Sequence, residues 1–378
     1  MEYRALGDYC TVTSSKRIFA EQYVESGVPF YRSREIIEKN NNSDISEPLF
    51  ISPEVYENIK VKFGVPQEGD MLLTSVGTIG IPYIVKDEQF YFKDGNLTWM
   101  KDFSDELSSK YLYYWLSSKF GKESLTNRCI GSSQAALTID ILKKYKLLVP
   151  RRETQDEIVS ILSAYDNLIE VNNKRIKVLE QMAENLYKEW FVRFRFPGHE
   201  SAEFENGIPK GWVYCKLDKL FDIRYGKDHK CVADGQIPIF GSGGLMRYGN
   251  KSLYNGESVL IPRKGTLNNI MYYNGAFWTV DTMFYTVLLK KRFAKYAYYT
   301  LSNIDMESYN SGAALPSMTT DILCHLKILV PDDRSLEAFD KFAEIVFKQK
   351  KVLSKVNERL ARQRDLLLPR LMSGKLEV

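Results

Sequence analysis

The sequence predicts an α+β protein in which two similar globular units are separated by two long antiparallel helices forming a coiled-coil-like rod, the whole being a pseudo-two-fold internal repeat. Three observations predict this. Residues 131–150, GSSQAALTIDILKKYKLLVP, return as residues 312–331, GAALPSMTTDILCHLKILVP, without a gap and with nine of 20 positions identical. Two unrelated stretches of that length share about one or two. Short apolar runs between turn signals precede each copy, the pattern of a compact strand-rich domain. A long stripe of apolar residues at 3–4 spacing follows each copy, the pattern of a long helix with one covered face.

The elements follow in chain order. Residues 1–150 form the first globular domain, with the strand-like runs MLLTSV, IPYIV and YKLLVP and a short helix at KYLYYWLSS (110–118). Residues 151–196 form the first spacer helix, predicted from about Thr154 to Phe191. Its stripe includes Ile158, Ile161, Tyr165, Leu168, Leu179, Met182 and Leu186, interrupted by the polar Asn172. Residues 197–331 form the second globular domain. KYAYYTLSN (295–303) echoes the short helix, and GESVLIPRKGT (256–266) echoes GDMLLTSVGT (69–78) with one inserted residue. GQIPIFGS (235–242) faintly echoes GVPFYRS (27–33). The Asn-Gly pairs at 255–256 and 274–275 are expected to be turns. Residues 332–378 form the second spacer helix, from about Ser335 to Leu368 and ending at Pro369. Its stripe of Phe339, Val346, Leu353, Leu360 and Leu367 keeps the register of the first, so the heptads were duplicated with the domains. Such stripes are expected to pair with one another. The shared Thr-x-Asp-Ile-Leu is expected to cap a short helix leading into the last strand of each domain.

Composition narrows the function. The chain has 378 residues, 44% hydrophobic and 26% charged, with a net charge of +4. That balance is ordinary for a soluble protein and leaves both nucleic-acid binding and neutral partners open. Five cysteines without a C-x-x-C pair and three scattered histidines argue against a disulfide framework and against a metal site. The N-terminal MEYRALGDYC lacks the apolar segment of a signal peptide, and no run approaches a membrane span, so a cytoplasmic protein without a membrane partner is expected. No phosphate-binding G-x-x-x-x-G-K-[ST], no G-x-G-x-x-G, no N/D-P-P-Y and no G-x-S-x-G occurs. The acidic Asp332, Asp333 and Glu337 stand where a helix dipole favours carboxylates. The chain therefore reads as non-catalytic.

The order domain, long helix, domain, long helix resembles the specificity (S) subunits of type I restriction–modification systems. So does the G-x(5)-[LM]-T-x-D-I-L-x(6)-V-P segment before each helix. Leu186-Tyr-Lys-Glu-Trp-Phe-Val-Arg-Phe-Arg-Phe-Pro197 is similar to the central region of that family, and Leu367-Leu-Pro-Arg-Leu-Met-Ser-Gly374 to its C-terminal region. The resemblance implies two target recognition domains, each reading one half of a bipartite asymmetric site in double-stranded DNA. It implies helices that set the spacer and bind two methyltransferase (modification) subunits. S-adenosylmethionine then belongs to those subunits and no cofactor to this chain; restriction (translocase–nuclease) subunits are a further partner. One departure concerns an acidic-Gln pair early in each helix of the family: here the first helix has Thr154-Gln155 and the second lacks the Gln. A competing class is a helical adaptor whose two heads bind proteins.

Base edges are read by Arg or Lys on guanine, Asn or Gln on adenine, and Ser or Thr on either, from loops on a rigid scaffold. The candidates in the first domain are Tyr31, Arg32, Ser75, Thr78, Arg128 and Gln134. Those in the second are Ser242, Arg263, Lys264, Thr266 and Asn268, with PRKGT the strongest segment because it carries two cations beside a glycine turn. The candidates for helix pairing are Ile158, Tyr165, Asn172, Leu179, Leu186, Phe339, Val346, Leu353, Leu360 and Leu367. Gln134 against Leu315 is one place where two similar domains would read different half-sites.

Overall fold

The computed structural model describes residues 3–41, 45–128, 136–312 and 316–376. The chain divides into two compact units. Unit 1 comprises residues 1–173 and 355–378, and unit 2 residues 174–354. Each unit is one globular head with half of each long helix, so the helices are built into the heads rather than appended to them.

In unit 1 the strands Thr11–Thr13, Leu97–Lys101, Met71–Thr74 and Pro82–Ile84 form one sheet in that order. A second sheet orders Tyr23–Val24, Leu49–Ile51, Val28–Tyr31 and Tyr91–Phe92, the last pair parallel. In unit 2 the same topology fuses into one six-stranded sheet: Phe221–Tyr225, Met283–Leu288, Tyr254–Pro262, Met271–Thr279, Asp234–Gly241, Gly244–Gly249. The fusion has a simple cause. Met271–Thr279 runs unbroken from its partner Tyr254–Pro262 to its parallel partner Asp234–Gly241. Its counterpart in unit 1 is split into Pro82–Ile84 and Tyr91–Phe92.

The faint echo of GVPFYRS in GQIPIFGS is a structural equivalence. Phe30 and Tyr31 pair in parallel with Tyr91 and Phe92, as Ile239 and Phe240 do with Trp278 and Thr279. The Asn-Gly pairs are not turns. Gly256 and Gly275 face each other inside one antiparallel ladder. Both take positive φ, 152° and 141°, which glycine tolerates without a Cβ penalty. The hairpin instead closes through residues 263–270.

The twin Thr-x-Asp-Ile-Leu segments do what their residues dictate. Thr138 and Thr319 accept the amide hydrogens of Ile141 and Ile322, each at 3.3 Å, as N-caps of the helices Ile139–Lys143 and Thr320–His325. Leu142 and Leu323 are buried. Strands Lys146–Leu148 and Lys327–Val330 follow and pair with Tyr3–Ala5 and Val213–Lys216.

The first long helix is Arg152–Tyr187, extended by a π turn over Lys188–Val192. The second is Asp333–Met372. It does not stop at Pro369 but continues one turn beyond it. Leu368 and Leu371 are buried in the core of unit 1, and their burial outweighs the backbone hydrogen bond that proline forfeits near a helix end. Within unit 1 the helices pair antiparallel, with Asp166 against Arg364 and Asn172 against Asn357. Within unit 2 Glu180 pairs with Lys350, and Trp190 lies against Phe339.

The residues expected to pair the helices are all buried or half-buried, but much of their burial is against the heads. Ile158 lies in the unit 1 core; Leu179, Leu186, Phe339 and Val346 lie in or against that of unit 2. Ile161, Leu168 and Met182, by contrast, are exposed. A pair of helices with one head covers only part of each helix surface, and a 3–4 spaced pattern marks residues outside it as readily as inside.

The helix starts differ. Gln155 is fully buried: its amide nitrogen donates to the carbonyls of Glu106 and Pro150, and its oxygen accepts from the Ser108 amide. Asp332 starts the second helix by accepting from the Ser335 amide and hydroxyl and from the Trp212 indole. Burial works against its charge, but those donors prevail and hold the carboxyl below its usual range.

Candidate nucleic-acid interface

In unit 2 one end of the large sheet gathers the polar loops. Strand Tyr254–Pro262 exits into Arg263-Lys264-Gly265-Thr266, whose first two amides both donate to the Thr282 carbonyl. Lys264 makes an isolated antiparallel bridge with Ser317, and the Met318 amide donates to the Arg263 carbonyl at 2.8 Å. Gly265 turns the chain with φ 87°. In unit 1 strand Met71–Thr74 exits into Ser75-Val76-Gly77-Thr78 in the same way. The Ser75 amide donates to Asn96, Val76 bridges Ala136, the Leu137 amide donates to the Ser75 carbonyl at 2.9 Å, and Gly77 has φ 76°. RKGT and SVGT are one loop made twice with different side chains.

The predicted residues divide into three groups. Thr78, Arg128, Thr266 and Asn268 are exposed, and Ser242, Arg263 and Lys264 half-buried. The Arg263 guanidinium lies 5.3 Å over the Tyr225 ring and donates to the Asp281 carbonyl; the Arg128 guanidinium covers the Tyr145 ring at 4.9 Å. Lys264 has no ion-pair partner among the described residues. Asn268 and Ser242 likewise have polar groups engaged within the head. Asn268 donates to Asp305 and accepts from the Met306 amide, and the Ser242 carbonyl accepts from Asn269.

Tyr31 and Ser75 are not surface residues. Tyr31 stacks on Phe90 at 4.6 Å and its hydroxyl donates to Glu88; burial first, then that carboxylate, pushes the phenol up. Ser75 lies 2.6 Å from the Thr98 hydroxyl, inside the sheet. Arg32 is committed to the buried Glu35 as a salt bridge at the start of a helix. The reason is that both faces of these strands are covered: Phe30 and Tyr31 are buried in succession, as are Met71 through Ser75. Gln134 lies outside the described residues.

Beside RKGT, sequence reasoning missed the strand exit Tyr225-Gly226-Lys227-Asp228-His229-Lys230. Its signal was two lysines and a histidine directly after a β-type run. Its Asp228, His229 and Lys230, together with Ser242, Gly243, Met246 and Asp281, border a groove of about 520 Å³. Gly226 is required there, because a Cβ would lie 2.0 Å from the Val280 carbonyl oxygen and 2.6 Å from that of Thr279.

A family model described as type I restriction modification DNA specificity domain matches residues 1–181 and again residues 209–355. The chain belongs to that family. The two matches coincide with the duplication seen in sequence and topology. The type I restriction enzyme MjaIX specificity subunit of Methanocaldococcus jannaschii is 26% identical over 352 residues, covering 82% of this chain and 78% of that protein. The type I restriction enzyme EcoprrI specificity subunit of Escherichia coli is 24% identical over 287 residues, covering 70% and 67%. The crystal structure of the type I restriction–modification S subunit from M. genitalium superposes with a TM-score of 0.58 at 18% identity, covering 98% of this chain and 95% of that one, and shows the same fold. The family is one of DNA specificity subunits, whose relatives are named for specificity rather than for catalysis. Among the described residues no helix is long and apolar enough to cross a membrane.

Proposed function

We propose that each head of this chain reads one half of a bipartite, asymmetric DNA target, and that the long helices dock two methyltransferase subunits. Those subunits supply S-adenosylmethionine and the transfer chemistry; this chain supplies the address. The observation that carries the reading is the twin loop, SVGT in one head and RKGT in the other. Two scaffolds of one topology present the same backbone turn with a valine in one and a lysine in the other. Such a pair suits two different base sequences better than a symmetric site.

Exposed apolar side chains on the helices support the docking of partners. Ile161, Leu168 and Leu366 in unit 1, and Val178, Met182, Ile345 and Val352 in unit 2, face solvent. Apolar groups in such number on a helix surface suit a protein interface.

The test is reconstitution of the full chain with its cognate methyltransferase subunit, followed by mapping of methylated adenines on random-sequence DNA. A bipartite asymmetric motif is expected, lost when this chain is omitted. Methylation with no dependence on this chain overturns the proposal. DNA binding that stays constant from low to high salt overturns it in favour of a protein-binding adaptor, because phosphate contacts weaken steeply with salt.

A further inference from the structure

The two heads can be compared position by position, and the comparison separates what they share from what they do not. Thr13 pairs with Trp99, which in turn pairs with Leu72. Arg224 pairs with Tyr285, which pairs with Leu260. Thr13 and Arg224 are therefore equivalent, and three residues on, so are Lys16 and Lys227. A second tie confirms the match. The Lys16 amide donates to the Tyr91 hydroxyl at 2.7 Å, and the Lys227 carbonyl accepts from the Trp278 indole at 2.8 Å. Tyr91 and Trp278 hold equivalent places in the parallel strand pairs.

Both lysines are exposed, and neither has an ion-pair partner among the described residues. Lys16 lies over the Phe63 ring at 4.7 Å. Their acidic neighbourhoods differ: Asp94 near the first lysine is paired with Arg17, while Asp228 follows Lys227 directly and accepts from the Lys230 amide. Both stand at a strand exit on the sheet end that holds the twin loop. The Lys227 amide donates to Thr279 and the Lys264 amide to Thr282, so one short segment anchors both.

Around these lysines the turn residues Gly77 and Thr78 recur as Gly265 and Thr266, while neighbouring equivalent positions differ, Ser75 standing where Arg263 does. Val76 corresponds to Lys264, and Arg32 to Gly241. A DNA duplex presents the same phosphates at both half-sites but different bases. A cation kept in both heads matches what the half-sites share; side chains that change match what differs. We infer that Lys16 and Lys227 are the equivalent phosphate anchors of the two heads, and that Lys264 discriminates bases in the second half-site. The inference rests on the DNA-reading function proposed above and assigns its residues.

The experiment uses the full chain in complex with its cognate methyltransferase subunit. Binding of a target duplex and of a scrambled duplex is measured by anisotropy at several salt concentrations, and the methylated sequence is mapped. Lys16→Ala and Lys227→Ala each should weaken both duplexes equally and flatten the slope of log affinity against log salt by about 0.9. The methylated motif should stay the same, and Lys227→Arg should restore the slope. Lys264→Ala should relax the second half of the motif and leave the first intact. An unchanged slope in Lys16→Ala or Lys227→Ala, or an altered motif in either, overturns the anchor assignment. An unchanged motif in Lys264→Ala overturns the discriminating role. Failure of the unaltered complex to bind DNA in a salt-dependent way is a different result, and it overturns the functional reading beneath.

Discussion

Replacing Lys295 by methionine removes the central cation from a buried cluster in unit 2 that ties the head to the second long helix. Lys295 is 2% exposed. Its ammonium donates to Glu257 at 2.7 Å, to Glu344 at 2.8 Å and to Asp340 at 3.0 Å. Glu257 lies on a sheet strand and also accepts from the Tyr272 hydroxyl; Asp340 and Glu344 stand one turn apart on the helix. Breaking a buried ion pair by removing one partner costs roughly 3–5 kcal/mol. Glu344 is half exposed and recovers hydration, so the expected loss is at the low end, about 3 kcal/mol.

Hydrogen exchange reads this loss locally. Amides in Tyr254–Pro262 and Met283–Leu288 should exchange about 150-fold faster, at 1.36 kcal/mol per decade. Those in Met71–Thr74 of unit 1 serve as the internal reference. The pH dependence has a definite sign. Burial already holds the Asp340 carboxyl above its ordinary value against the opposing pull of Lys295, and in the variant that pull is gone, so its folded pKa stands further above the unfolded one. The folded state then binds more protons, and the deficit shrinks as pH falls through the carboxylate range. In the unaltered protein burial works against the Lys295 charge, but the surrounding carboxylates prevail and raise its pKa above the ordinary lysine value. Its contribution is therefore fully present below the unfolded value and lost only in strong alkali. Less than about threefold acceleration at neutral pH, or equal acceleration in both heads, refutes the reasoning.

Gly226→Ala should destabilise unit 2 by about 2 kcal/mol in denaturant unfolding, because its Cβ meets backbone oxygens that do not yield. Gly243→Ala, in open space, should be neutral. Asn172 donates to Asn357, which donates to Asn173, each at 2.8 Å within unit 1. Asn172→Ala should lower unit 1 stability by about 1–2 kcal/mol in denaturant unfolding, by stranding a half-buried amide. Burial pushes the Cys10 thiol up to about 12, while Cys231 is exposed. Peptide-resolved alkylation at pH 8 should therefore label Cys231 at least about a hundredfold faster than Cys10.

Much of this protein was decided by local chemistry and is legible in the chain. A threonine before Asp-Ile-Leu caps a helix wherever it stands, so the repeated 20-mers announced two helices, two closing strands and a duplication. Apolar residues at helical spacing announced two long helices in one register. The absence of catalytic motifs and the order of elements pointed to a specificity subunit, and the family match agrees.

Tertiary structure decided the rest, because side-chain direction at a strand end depends on partners far away in sequence. Tyr31 and Ser75 carry the right atoms for base reading, yet Phe90, Glu88 and Thr98 hold them inside. Two Asn-Gly pairs that read as turns lie face to face in a ladder. Pro369 sits inside a helix because Leu368 and Leu371 are buried around it. The equivalence of Lys16 and Lys227 rests on strand register and two long-range hydrogen bonds, and their sequence neighbours share almost nothing. Capping and periodicity act over one turn of chain and can be read along it; burial and equivalence are set across the sheet and appear only once it has folded.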